Sequence, residues 1–193
     1  MGAPISFYDL PTELREMVYI HALIKTQGIA TPLHGTCLKA QADIPLGLFK
    51  ASNLTRREAL LVFFGKNTFN LDCTDMDRNG VAQDLRKIGT VNMRMIKSYT
   101  FTYRPRVRSQ DRRNANPRKG TSLNIQILPR TPFYSISGSH LGVADIRDAT
   151  VAYLVQDMFS HRNVRSLATN DILDIAIFVR DFSKACDESE DDI

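Results

Sequence analysis

Apolar residues recur at helical spacing from Tyr8 to Ile24, where Leu10, Leu14, Met17, Val18 and Ala22 or His21 share one face. Pro11 suits the first turn, where a missing N–H removes no hydrogen bond. Glu13 stands in the same turn, near the positive end of the helix dipole. The pattern predicts an amphipathic helix that packs either on the chain's own core or on another protein. The helical period returns from Leu48 to Phe64, with Leu48, Ala51, Thr55, Ala59 and Val62 along one side and Gly65 as the stop.

Between and after these helices the period changes. Gly28 to His34 is a short β-prone piece broken by Pro32 and Gly35, and Asn67 to Leu71 alternates as a half-buried strand does. A polar stretch ends in the turn signal Asn79-Gly80. Val81, Leu85 and Ile88 then space a short helix that Gly89 closes, and another helical turn spans Asn92 to Ile96. Tyr99, Phe101 and Tyr103 alternate with threonines, and Leu123, Ile125 and Ile127 alternate likewise, so the two segments are predicted to pair antiparallel. Two helices close the chain, one over about 144–160 and one carrying Ile172, Ile175, Ala176, Val179 and Phe182 behind an Asn170 or Asp171 cap. The reading is an α+β fold in a single domain over residues 1–186. In it N-terminal helices pack with a small antiparallel sheet and two C-terminal helices. The tail from Asp187 to Ile193 holds five acidic residues and is expected to be disordered.

Composition narrows the function classes. The chain has 193 residues, 43% of them apolar and 24% charged, with no apolar run near the roughly 20 residues that span a membrane. No secretory signal pattern opens it, and Cys37, Cys73 and Cys186 are too few and too spread for a disulfide framework or a zinc site. These features point to a reducing compartment, cytoplasmic and/or nuclear. The Met1-Gly2 opening matches the loose N-myristoylation pattern, but no polybasic patch follows to give a second anchor.

Charge is concentrated in one place. Arg104, Arg106, Arg108, Arg112, Arg113, Arg118 and Lys119 against Asp111 give residues 104–119 a net +6, which leaves −2 for the rest of a chain whose total is +4. This basic loop, about 104–120, joins the two best strands. It reads as a solvated loop, as a phosphate-binding segment for nucleic acid, or as a site for an acidic protein. Tyr99, Phe101 and Tyr103, which precede it, share one side of their strand and read as core rather than as a base-stacking platform.

Catalytic patterns are missing from the sequence. Asp75 to Gly80 matches the first half of a calcium loop, but Arg86 stands where the bidentate Glu belongs. His34, His140 and His161 have no ligand partner at metal spacing, and Cys73 beside Asp72 is poorly placed to ionise. No phosphate-cradling glycine loop or nucleophile elbow is present. No cofactor or metal is expected, and the chain reads as a non-enzyme.

Three blocks carry a family likeness. The first is Asp9-Leu10-Pro11-Thr12-Glu13-Leu14-Arg15 with Val18-Tyr19, and the second runs from Arg56-Arg57-Glu58-Ala59-Leu60 to Phe64-Gly65-Lys66-Asn67-Thr68-Phe69. The third is Leu85 to Gly89 with Ile96 to Tyr99. In this order, over about residues 7–103, they resemble a group of fungal F-box-like proteins. The resemblance implies a protein-interaction role in which the first helix docks on a Skp-type adaptor of a cullin ubiquitin ligase while the rest recruits a substrate. Carried over by position, the adaptor contacts are Leu10, Pro11, Leu14 and Val18. Arg15 and Glu58 lie in the two strongest blocks beside apolar residues, and they are expected to meet as a partly buried ion pair.

Overall fold

The computed structural model describes residues 6–31, 45, 47–74, 78–104, 121–128, 134–138, 152–157, 159 and 167–190. A 3-10 turn, Phe7–Asp9, leads into helix α1 (Thr12–Leu23), strand β1 (Ile29–Thr31), and helices α2 (Leu48–Ala51) and α3 (Asn53–Lys66). Strand β2 (Thr68–Asp72) follows, then helices α4 (Arg78–Ile88) and α5 (Thr90–Met95) and strand β3 (Ser98–Tyr103). Strands β4 (Thr121–Ile127) and β5 (Tyr134–Gly138), a helical segment α6 over 152–157 and helix α7 (Thr169–Glu190) complete the chain.

The α+β class stands, and the sheet is larger than the small antiparallel one expected. It has five strands in the order β1-β2-β3-β4-β5; β1, β2 and β3 run parallel, and β4 and β5 are antiparallel. The parallel half follows from the helices between its strands, because a parallel pair needs a crossover of a dozen or more residues. β3 and β4 pair antiparallel as the alternation implies, Tyr99 opposite Ile125 and Phe101 opposite Leu123.

Strand order decides what covers the sheet. It never reverses, and by the general right-handedness of parallel crossovers, connections stepping in one direction put the described connecting helices on the same face. That face is the core. Ile29, Phe69, Tyr99 and Ile125 form one buried cross-strand row, and Leu71, Phe101 and Leu123 form the next. Phe63 and Phe64 of α3 meet Phe69, and α7 packs on β3, β4 and α4 through Ile172, Ile175, Ala176 and Val179. The other face carries Thr68, Ser98, Gln126 and Ser135 in one row and Asn70, Thr100, Asn124 and Ser137 in the next.

Several boundaries differ from the sequence reading. The second predicted helix is two helices, broken at Ser52, whose extended backbone (φ −160°) lets its hydroxyl cap α3 by accepting from the Thr55 N–H at 3.1 Å. Gly65 does not stop α3 but lies inside it, and Asn79-Gly80 is the first turn of α4 rather than a loop turn. Gly89, at φ +84°, does separate α4 from α5. α7 continues through Glu190, so residues 187–190, assigned to a disordered tail, extend the helix. The expected strand end at Pro32, the turn at Gly35, the calcium-loop carboxylates of residues 75–77 and the tail beyond 190 lie outside the described residues.

What stops α3 is Asn67, which is 1% exposed. Its Nδ2 donates to the Phe63 carbonyl of α3 at 2.9 Å and to the Leu23 carbonyl of α1 at 3.0 Å, while its Oδ1 accepts from the Lys25 N–H at 2.8 Å. One carboxamide therefore satisfies the C-terminal ends of two helices at once. Replacing Asn67 with Leu strands those groups in the core. The expected loss is at least ~1–3 kcal/mol, the penalty for one buried unsatisfied group. Asn67→Asp keeps the acceptor but turns it on two carbonyls, and it is expected to fare no better. Urea denaturation reads both variants, and parent-like midpoints would remove Asn67 from this role.

Candidate functional site

A network of polar side chains joins α1 to α3. Arg15 donates from Nη2 to Glu58 Oε1 at 2.7 Å and from Nε to Glu58 Oε2 at 3.1 Å, a two-point match of guanidinium and carboxylate. Its Nη1 donates to the Leu10 carbonyl at 2.6 Å and Nη2 also to Thr12 Oγ1 at 3.3 Å. The Tyr19 hydroxyl donates to Glu58 Oε2 at 3.1 Å. The ion pair is largely covered, with 11% and 18% of the two side chains exposed.

The polar contacts continue toward the N-terminus. Tyr8 donates to Ser52 Oγ at 2.6 Å and shares a 2.9 Å hydrogen bond with Thr55 Oγ1. Ser6 and Asp9 close a capping box around the Phe7–Asp9 turn, and the Phe7 ring meets Tyr19 edge-on. The turn before α1, α1 itself and the start of α3 are thus tied by one set of hydrogen bonds. Thr55, which periodicity places on an apolar side, is buried there with its hydroxyl engaged.

The side of α1 that packs inward is Arg15, Tyr19 and Leu23. The middle of the apolar stripe read from the sequence therefore faces out, while Ala22 packs against the core. Leu14 and Val18 are 46% exposed and Met17 63%, while Pro11 is exposed and Leu10 half-buried at the helix start. Of the four predicted partner contacts, Pro11, Leu14 and Val18 are exposed and Leu10 is half-buried, and Met17 joins the exposed ones at i+3 from Leu14. His21, one turn further, is exposed on the same side. Beside α1, a groove of about 230 Å³ runs along α3, lined by Thr12, Glu16, Tyr19, Glu58, Leu61 and Lys66. Lys66 Nζ meets Glu16 Oε1 across it at 2.7 Å.

Other residues singled out by sequence fall elsewhere. Tyr99, Phe101 and Tyr103 are core, so they offer no base-stacking surface. Arg104 is exposed, and its N–H donates to Thr74 Oγ1 at 2.9 Å. Arg106, Arg108, Arg112, Arg113, Arg118 and Lys119 lie outside the described residues. Cys73 is buried, and burial first and Asp72 second push its thiol up to about 12, far from a nucleophile's range. Among the described residues no three His, Cys, Asp or Glu side chains stand together to hold a metal ion, and no helix is long and apolar enough to cross a membrane.

Fold and site together define an α+β domain that fixes a surface helix through a covered ion pair and leaves that helix's apolar stripe outward. Compared with known proteins, the chain matches no family model, no curated protein and no solved structure.

The Glu58 carboxyl is held below its usual 4.5, first by the Arg15 hydrogen bonds, against burial, with the Tyr19 hydroxyl adding to the lowering. A carboxyl depressed in the folded state contributes stability that is complete above the unfolded value and is lost as pH falls through the folded one. Wild-type urea midpoints are therefore expected to drop below about pH 4.5 more steeply than those of Glu58→Gln. Equal pH slopes in the two proteins would show that the pair does not stabilise the fold through its charge.

Proposed function

We propose that the chain is a non-catalytic interaction module that presents the outward stripe of α1 to a protein partner. The observation that carries this reading is the exposure of Leu14, Met17 and Val18 side by side on a helix whose other face is anchored through Arg15. Scattered exposed apolar residues need no explanation. Three neighbours at i, i+3 and i+4 form the anchor pattern by which a helix lies in an apolar groove of another protein. The Leu10-Pro11 step at the start of the helix, and the resemblance carried by the three blocks, support a Skp-type adaptor as that partner, so that the domain would link a substrate to a cullin ubiquitin ligase. The inward side of α1 is supplied by Arg15, Tyr19 and Leu23, which leaves Leu14, Met17 and Val18 on the exposed side.

Binding to a purified Skp-type adaptor is the test. Wild type is expected to bind, and Leu14→Asp combined with Val18→Asp is expected to lose at least tenfold in affinity with an unchanged melting temperature, because both positions face water. Failure of the wild type to bind, or equal binding by the double variant, would overturn the adaptor reading.

A further inference from the structure

Away from α1, the face of the sheet that the described helices leave uncovered holds a shallow cleft of about 370 Å³, inside the range of small-molecule sites, about 300–1,000 Å³. Its floor is the two polar rows of β2 to β5, and its wall is the turn Thr26-Gln27-Gly28. Every lining side chain except Ile125 and Gly28 is a hydroxyl or a carboxamide, and none is charged. Asn is depleted in strands, yet Asn70 and Asn124 flank Thr100 in the middle of the sheet.

The cleft is held in shape by its own hydrogen bonds. Asn70 Nδ2 donates to the Gln27 carbonyl at 3.1 Å, which lays the turn on β2. Gly28 permits the approach. It sits at φ +73°, and a Cβ there would fall 2.8 Å from Asn70 Nδ2 and 3.0 Å from the Thr68 carbonyl. On the floor, Thr68 Oγ1 donates to Ser98 Oγ at 3.0 Å and Thr100 Oγ1 to Asn124 Oδ1 at 2.7 Å. These bonds orient the groups and engage only part of their capacity, since Asn124 still has its amide hydrogens to give and Ser98 its hydroxyl hydrogen.

We propose that this cleft binds a neutral, polyhydroxylated ligand, namely an oligosaccharide. An ionic ligand would surrender its hydration with no opposite charge among the described lining residues in return. An apolar one would leave the floor's donors and acceptors unpaired. A row of sugar hydroxyls can instead replace water group by group on a floor of the same chemistry. Arg104, the described residue of the basic segment, follows the end of β3 and is not part of the cleft's lining. With no aromatic ring among the described lining residues for a sugar to stack on, weak binding on the order of millimolar is expected.

The test is a titration of the isotope-labelled full chain with maltotriose and with tri-N-acetylchitotriose, read by backbone amide shifts, with trigalacturonate as the anionic control. At least one neutral trisaccharide is expected to give saturable shifts at Gly28, Asn70, Thr100 and Asn124, and trigalacturonate none. Thr100→Lys, which raises a long charged side chain from the floor, is expected to weaken binding at least tenfold. Should that variant lower the melting temperature, Ser137→Lys on the exposed edge strand makes the same intrusion. No saturable shift with either neutral sugar, equal binding of trigalacturonate, shifts mapping to α1 or α3, or undiminished binding by the lysine variant that keeps the parent's melting temperature would overturn the proposal.

Discussion

The Arg15–Glu58 pair is the contact on which the placement of α1 depends. A guanidinium taken largely out of water must find partners for its donors, and here it finds both carboxylate oxygens of Glu58, the Leu10 carbonyl and the Thr12 hydroxyl. Glu58 in turn accepts from Tyr19. These bonds set the rotation of α1 about its own axis, because Arg15, Tyr19 and Leu23 can face α3 only if Leu14, Met17 and Val18 face away. Asn67 fixes the other end by holding the last carbonyls of α1 and α3 together. The helix is clamped at both ends by polar groups, and its apolar stripe is left over.

The sheet follows a parallel logic. Its strand order keeps the described connecting helices on one face, so the opposite face has to be polar, and what is left to chemistry is which polar residues stand there. The result is a domain with two uncovered surfaces of opposite character among its described residues. One is an apolar helix stripe on the helical side, and the other is a floor of hydroxyls and carboxamides on the sheet's bare side. They lie on different elements, so a substitution in one leaves the other intact.

How much of this could be read in the residues depends on the type of pattern. β3 and β4 were legible because strict alternation with a buried face has one interpretation, and their antiparallel pairing followed. α1 was legible as a helix but not in its facing. A binary reading assigns the leucines to the core and the arginine to solvent, whereas the fold buries Arg15 with its partner and exposes Leu14. The signal for the inversion was the Arg15 and Glu58 pairing itself, which implied that both helices turn those positions toward each other. β5 escaped because Ser135 and Ser137 give a weak strand signal, and Asn67 because a lone Asn after a helix reads as an ordinary polar end. The polar cleft depends on register across four strands and had no local signature.

Helix α1 is fixed with its leucine–methionine–valine side in solvent. The two methionines 17 and 93 report on it directly, since Met17 is 63% exposed and Met93 is buried at 1%. Limited oxidation of the native protein with dilute hydrogen peroxide, followed by peptide mass spectrometry, compares them in one sample. The account requires Met17 to oxidise about as fast as it does in the urea-unfolded chain while Met93 stays protected until the protein unfolds. Protection of Met17 to the degree of Met93 in the isolated protein would mean that the stripe is covered, and the account would be wrong.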